Sequence, residues 1–322
     1  MDHDIRYFNG ITREDFGSVP QHGNLTHSAF IDMMKFIIPS NTPAELTIVA
    51  REDGAHVLAT RQLIVAGDYD IFPAEGSTIK LTDEVRDRRI PSRNNTGATP
   101  HVVAFCTAVR KRDKMCVLSG RVNTSANRPP AKQNWARYQA AHIFPLARSS
   151  YWRENNFNRY ITNLSGGAHR AYINSVQNGL CMRSDLHTAF DNNDISINPD
   201  DSYKIYDFTD NDDGIDGRVL PLVCRTRGDP NAVSNDLLRW HWQQTLLKNL
   251  KGTAEPIWEF DFPDGTDMIG EILAGPEPAE RMEAELLAYL YEYVSDGPET
   301  EERREAELFV RHHEYVDDES DY

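Results

Sequence analysis

Cysteine is scarce and scattered in this chain. Cys106, Cys116, Cys181 and Cys224 include no Cys-x-x-Cys pair. That spacing argues against a zinc knuckle and gives no disulfide framework, so reduced, partly buried thiols are expected. Long apolar runs are missing too. Met1-Asp2-His3-Asp4-Ile5-Arg6 lacks the apolar core of a secretory signal. Phe30–Ile38 is too short to span a bilayer and carries Lys35. No internal repeat is found. These absences predict an intracellular protein with no membrane role, nucleus or cytoplasm left open. Positive charge is short overall: the net charge is −16, which taken alone argues against a nucleic-acid partner, because phosphate contacts need Lys and Arg.

The distribution of charge reverses that argument. Residues 86–160 carry 15 Lys/Arg against 3 Asp/Glu, a local +12. Residues 251–322 carry 5 against 22, a local −17. A basic stretch of this kind points to a polyanionic partner, and the acidic end could mask it within the same molecule.

Pattern divides the chain into four parts. Residues 1–25 are polar, rich in turn formers and expected to be loosely ordered. Residues 26–98 predict a small β-rich domain and a linker. They start with a helix at Thr26–Ile38 and continue with strand-like runs at 46–50, 57–60, 63–65, 67–72 and 78–81. Residues 99–225 hold the chemistry. Thr99-Pro100 opens a helix carrying Val102, Val103, Phe105, Cys106 and Val109, and Cys116–Gly120 reads as a strand. Residues 226–322 predict an acidic helical region, with helices at about 234–250, 276–293 and 299–313. Trp240-His241-Trp242 has the spacing of an ordinary packed helix.

Within 139–191, His142 stands in a strand-like run stopped by Pro145. A long irregular insert follows, and Asn178-Gly179 turns the chain into a returning strand at Leu180-Cys181-Met182. Ser184 can cap a short helix that carries His187 and Asp191 at i and i+4 on one face. A neutral imidazole and a hard carboxylate at that spacing suit one divalent ion.

At these residues the chain resembles the HNH endonucleases, the ββα-metal or His-Me finger group. The resemblance rests on Ala141–Pro145, Asn178–Leu180 and Leu186–Asp191 and covers about residues 116–210. Leu238-Arg239-Trp240-His241 and Asp261–Met268 are also similar to the C-terminal part of a group of fungal HNH-domain proteins.

The resemblance implies an α+β protein. A ββα-metal nuclease core would be joined to a small β-rich N-terminal domain and C-terminal helices. His142 would be the general base that activates water. Asn178 would pin the loop that orients it. His187, with Asp191, would hold a divalent metal, Mg²⁺ ahead of Mn²⁺ or Zn²⁺. Arg110, Lys111, Arg112, Lys132, Arg137 and Arg148 would hold the nucleic-acid backbone, DNA ahead of RNA. One departure stands out: many members place a metal-binding Asp, Glu or His just before the base, where this chain has Ala141. The expected activity is metal-dependent hydrolysis of phosphodiester bonds. The alternatives are an inactive HNH scaffold that binds nucleic acid, and a protein–protein interaction module.

Overall fold

The computed structural model describes residues 5–39, 46–73, 78–84, 100–163 and 172–251. Contacts divide the chain into two units, Met1–Ser92 with Ala98–Pro256 and Arg93–Gly97 with Ile257–Tyr322, and every described residue belongs to the first. The helices expected at 276–293 and 299–313, and the masking they were expected to provide, lie outside the described residues.

The N-terminal half contains β1 (Ile5–Asn9), β2 (Asp15–Val19), α1 (His27–Ile37), β3 (Thr47–Ala50), β4 (Gly67–Phe72) and α2 (Pro100–Asp113). Then come β5 (Tyr138–His142), α3 (Ser149–Glu154), β6 (Gly179–Arg183), α4 (Ser184–Asp191), β7 (Ile195–Asn198), β8 (Lys204–Asp207), α5 (Leu222–Arg225) and α6 (Asn235–Leu250). Helices and strands are thus mixed, and the fold is α+β.

The first strands pair in the order β2-β1-β4-β3, with β1 parallel to β4 and the other pairs antiparallel. The expectation of a loosely ordered N-terminus is corrected here. Ile5, Tyr7, Phe8, Phe16 and Val19 are all buried, and this apolar surface outweighs the polar turn residues around it. Thr26 caps α1 by accepting from the Ala29 amide at 3.3 Å. Phe30, Met33, Met34 and Ile37, at helical spacing, close over the sheet. The runs at 57–60, 63–65 and 78–81 form no strand. The second contributes one isolated bridge, Thr26 to Leu63.

The sheet is not a separate domain either. Its core includes Tyr206 and Phe208 from β8 and its end, and Trp242, Leu246 and Leu250 from α6. The other end of α6 puts Leu237 and Leu238 into a second core with Ala141, Leu180, Leu186 and Phe190. One helix therefore serves both cores. Its middle is fixed by buried His241, which is 2.7 Å from Ser196 Oγ and 3.0 Å from the Phe190 carbonyl and stacks on the Phe190 ring at 3.7 Å.

Candidate functional site

The site is built on the β5–β6 ribbon and α4, which follows β6 without a break. Register is antiparallel: Tyr138 faces Arg183, Gln139 faces Met182, Ala141 faces Leu180 and His142 faces Gly179. The strand alternates its side chains, so Gln139 and Ala141 share one face and Tyr138, Ala140 and His142 the other. Gln139 reaches His187 on α4. His142 lies against α2, its ring stacked on Phe105 with centroids 4.0 Å apart and planes at 10°.

Cys116–Gly120, expected as a strand ahead of the motif, is instead a turn, closed by the Gly120 amide to the Cys116 carbonyl at 2.8 Å. Gly120 takes a φ of +72°, which an extended strand does not allow.

Asn178 is fully buried and clamps the chain just past His142. Its Oδ1 accepts from the Phe144 amide at 2.8 Å, and its Nδ2 donates to the carbonyls of Phe144 (3.0 Å) and Ile173 (2.9 Å). Its own carbonyl accepts from the Ile143 amide at 2.9 Å. The bonds to Ile143 and Phe144 hold the His142–Phe144 exit to the start of β6, and the bond to Ile173 holds the end of the insert.

His142 is buried, with Nε2 2.9 Å from Asn174 Oδ1. With the amide oxygen as acceptor, Nε2 carries a proton. Asn174 was not singled out from sequence, because it lies inside the irregular insert where no period predicts direction.

His187 and Asp191 come together as their i, i+4 spacing requires: Nε2 is 3.1 Å from Asp191 Oδ2, and both side chains are buried. Gln139 Oε1 lies 2.6 Å from His187 Nδ1. A carbonyl oxygen can only accept there, so Nδ1 carries a proton and Nε2 is the nitrogen turned to Asp191. Nε2 is buried and makes no aligned hydrogen bond. A buried imidazole nitrogen and a carboxylate oxygen this close are satisfied by a shared proton or by a cation that joins them. The separation is of the size (~3 Å) expected for two ligands of one small divalent ion with bonds of about 2.1 Å. The donor set therefore fits a divalent metal. Among the described residues no group of three or more His, Cys, Asp or Glu could hold one, and Ala141 is an apolar neighbour on the same strand face as Gln139. Gln139 was missed in the sequence, although counting three back from His142 puts it on the opposite strand face, the one toward α4.

The basic residues divide by exposure. Lys111, Lys132 and Arg137 are exposed. Arg110 donates to the Tyr138 carbonyl at 3.1 Å and lies over the Trp135 ring at 5.4 Å. Arg148 is half-buried in the turn after Pro145. Arg112 is a correction. Its side chain is only 5% exposed, paired with Asp113 at 2.5 Å, and it donates to the carbonyls of Val176, Gly179 and Asn231. Those donors tie α2 to β6 and are not offered to a phosphate. Asp113 also accepts from the Cys181 amide at 2.8 Å and the Cys224 thiol at 3.3 Å. Burial, then the nearby Asp113 charge, pushes both of these thiols far up, which makes them packing groups and poor ligands.

Residues 116–198 match the family model described as HNH endonuclease. No curated protein and no solved structure matches the chain.

Proposed function

We propose, for a chain that carries a domain of the HNH endonuclease family, divalent-metal-dependent hydrolysis of nucleic-acid phosphodiester bonds, DNA ahead of RNA. The observation that carries the proposal is the buried His187 Nε2, its ring held by Gln139 and lying 3.1 Å from Asp191 Oδ2. In this reading β5, β6 and α4 are the ββα-metal unit, and His187 and Asp191 hold the ion. A bound divalent ion supplies charge stabilisation at the phosphate and its leaving oxygen. Mg²⁺ is favoured over Mn²⁺ or Zn²⁺, because two protein ligands leave most positions to water and substrate, a habit of Mg²⁺.

His142 is the general base. Asn174 bonds Nε2, Phe105 sets the ring plane, and the imidazole takes the proton from the attacking water. Asn178 is a positioning residue that keeps the strand exit, and so the His142 ring, in register. Arg110, Lys111, Lys132, Arg137 and Arg148 hold the backbone. A plasmid-nicking assay with Mg²⁺, Mn²⁺ or Zn²⁺ tests this: His142→Ala should lower the rate by roughly 10²–10⁴-fold. Cleavage undiminished in that variant overturns the assigned mechanism.

Ala141 and the two-membered ligand set favour a second reading, a scaffold that binds nucleic acid without cutting it. Binding without turnover in any of the three metals selects that reading.

A further inference from the structure

A cleft of about 430 Å³ opens at the outer end of the β5–β6 ribbon, lined by Arg121, Arg137, Tyr138, Arg183, Ser184 and Asp185. Its size is in the range of sites that enclose small ligands, about 300–1,000 Å³. Its chemistry is that of an anion site. Arg183 forms a fixed wall: its guanidinium donates to Asp185, with one bond at 3.1 Å, and to Asp213 at 3.0 Å. Those two carboxylates more than offset its charge, so the positive charge of the cleft rests on Arg121 and Arg137. Arg121 and Arg137 are exposed, and among the described residues neither is paired with a carboxylate. Both exposed guanidinium groups line one cleft, so an anion seated there is attracted by each. Each carries the planar fork that binds phosphate in two places.

The position of the cleft names the anion. Tyr138 and Arg183 are a ladder pair, and the next residue along β5, Gln139, already touches His187. Ser184 opens α4 three residues before His187, ~4.5 Å of helix rise. Charges along one nucleic-acid strand repeat about every 3.4 Å of helix axis. We propose that this cleft holds the backbone phosphate one or two nucleotides from the phosphate at His187 and Asp191, with Arg121 and Arg137 as its clamp. The assignment rests on the nuclease reading above.

The test uses the full chain and a short fluorescein-labelled DNA duplex. Anisotropy is measured without divalent metal over a series of NaCl concentrations. The Arg121→Ala/Arg137→Ala double variant should bind more weakly, with a plot of log K against log[salt] shallower by about 2, since each lost contact removes ~0.9. An Arg121→Lys/Arg137→Lys variant keeps the charges but loses the forks, so its slope should stay near that of the wild type while its affinity falls. An unchanged slope and affinity in the alanine variant overturns the cleft assignment even if the wild type nicks plasmid. A weakened alanine variant in a protein that never nicks plasmid supports the cleft and overturns the cleavage. Wild-type protein with no affinity for the duplex at low salt overturns both.

Discussion

Gln139 Oε1 accepts from His187 Nδ1 at 2.6 Å, and this one hydrogen bond decides which ring nitrogen faces Asp191. A leucine at 139 has similar bulk but no acceptor, so the ring would lose its preference for the Nδ1–H form. Gln139→Leu is expected to weaken Mn²⁺ binding about 10–100-fold, read by calorimetry, while the melting temperature stays near that of the wild type. Equal affinity in the variant would remove Gln139 from the site. The sequence pattern placed His142 on a strand, Asn178 at a turn, and His187 with Asp191 on one helix, as the structure has them, because order and spacing set those elements locally. It did not carry Gln139 or Asn174. Their roles depend on which side chain crosses to which ring, and that is settled only when β5 meets α4 and the insert folds back. Arg112 shows the converse. Charge composition grouped it with its neighbours Arg110 and Lys111, but helix direction turned it inward.

At the scale of elements, the motif helix and ribbon were legible while the strands around them were not. Helix α4 has a periodic face and a clear start, and β5 and β6 flank a turn pair. Residues 5–19 offer only short apolar runs interrupted by Gly10 and Gly17, and the second edge of β1 is paired by β4, roughly 60 residues further along the chain. Long-range pairing of this kind leaves little trace in local propensity. The packing of α2 on the ribbon rests on a small residue. A Cβ on Gly179 would stand 2.5 Å from the Phe105 ring and 2.6 Å from Val109. Phe105 is also the ring on which His142 stacks. Gly179→Ala should therefore cost about 1–3 kcal/mol in chemical denaturation and lower the nicking rate by displacing His142. A variant as stable and as active as the wild type would show that α2 does not set the His142 ring.

At the scale of the whole molecule, α6 ties the N-terminal sheet to the core under the site, so damage to one is expected to reach the other. Asp70 on β4 offers a pH probe of that link. Burial alone would raise its carboxyl, but hydrogen bonds from Arg51 and Arg13 outweigh it and hold the group below the ordinary carboxylate range. A depressed folded value means that the unfolded chain takes up the proton first as the pH falls. The contribution of Asp70 is complete above about pH 4 and is lost as the pH drops through its lower folded value. Asp70→Asn should lower stability at neutral pH by about 1–3 kcal/mol and flatten the acid limb below pH 4. Unfolding curves that keep the wild-type acid limb would contradict the assignment. Acid unfolding should also appear as one transition whether read in the sheet or near the site. The central claim is a cation held between His187 and Asp191, and anomalous diffraction from manganese-soaked crystals tests it most directly. The account predicts a peak about 2.0–2.3 Å from His187 Nε2 and from an Asp191 carboxylate oxygen. A map with no peak there, or with equal density in Asp191→Ala crystals, would contradict it.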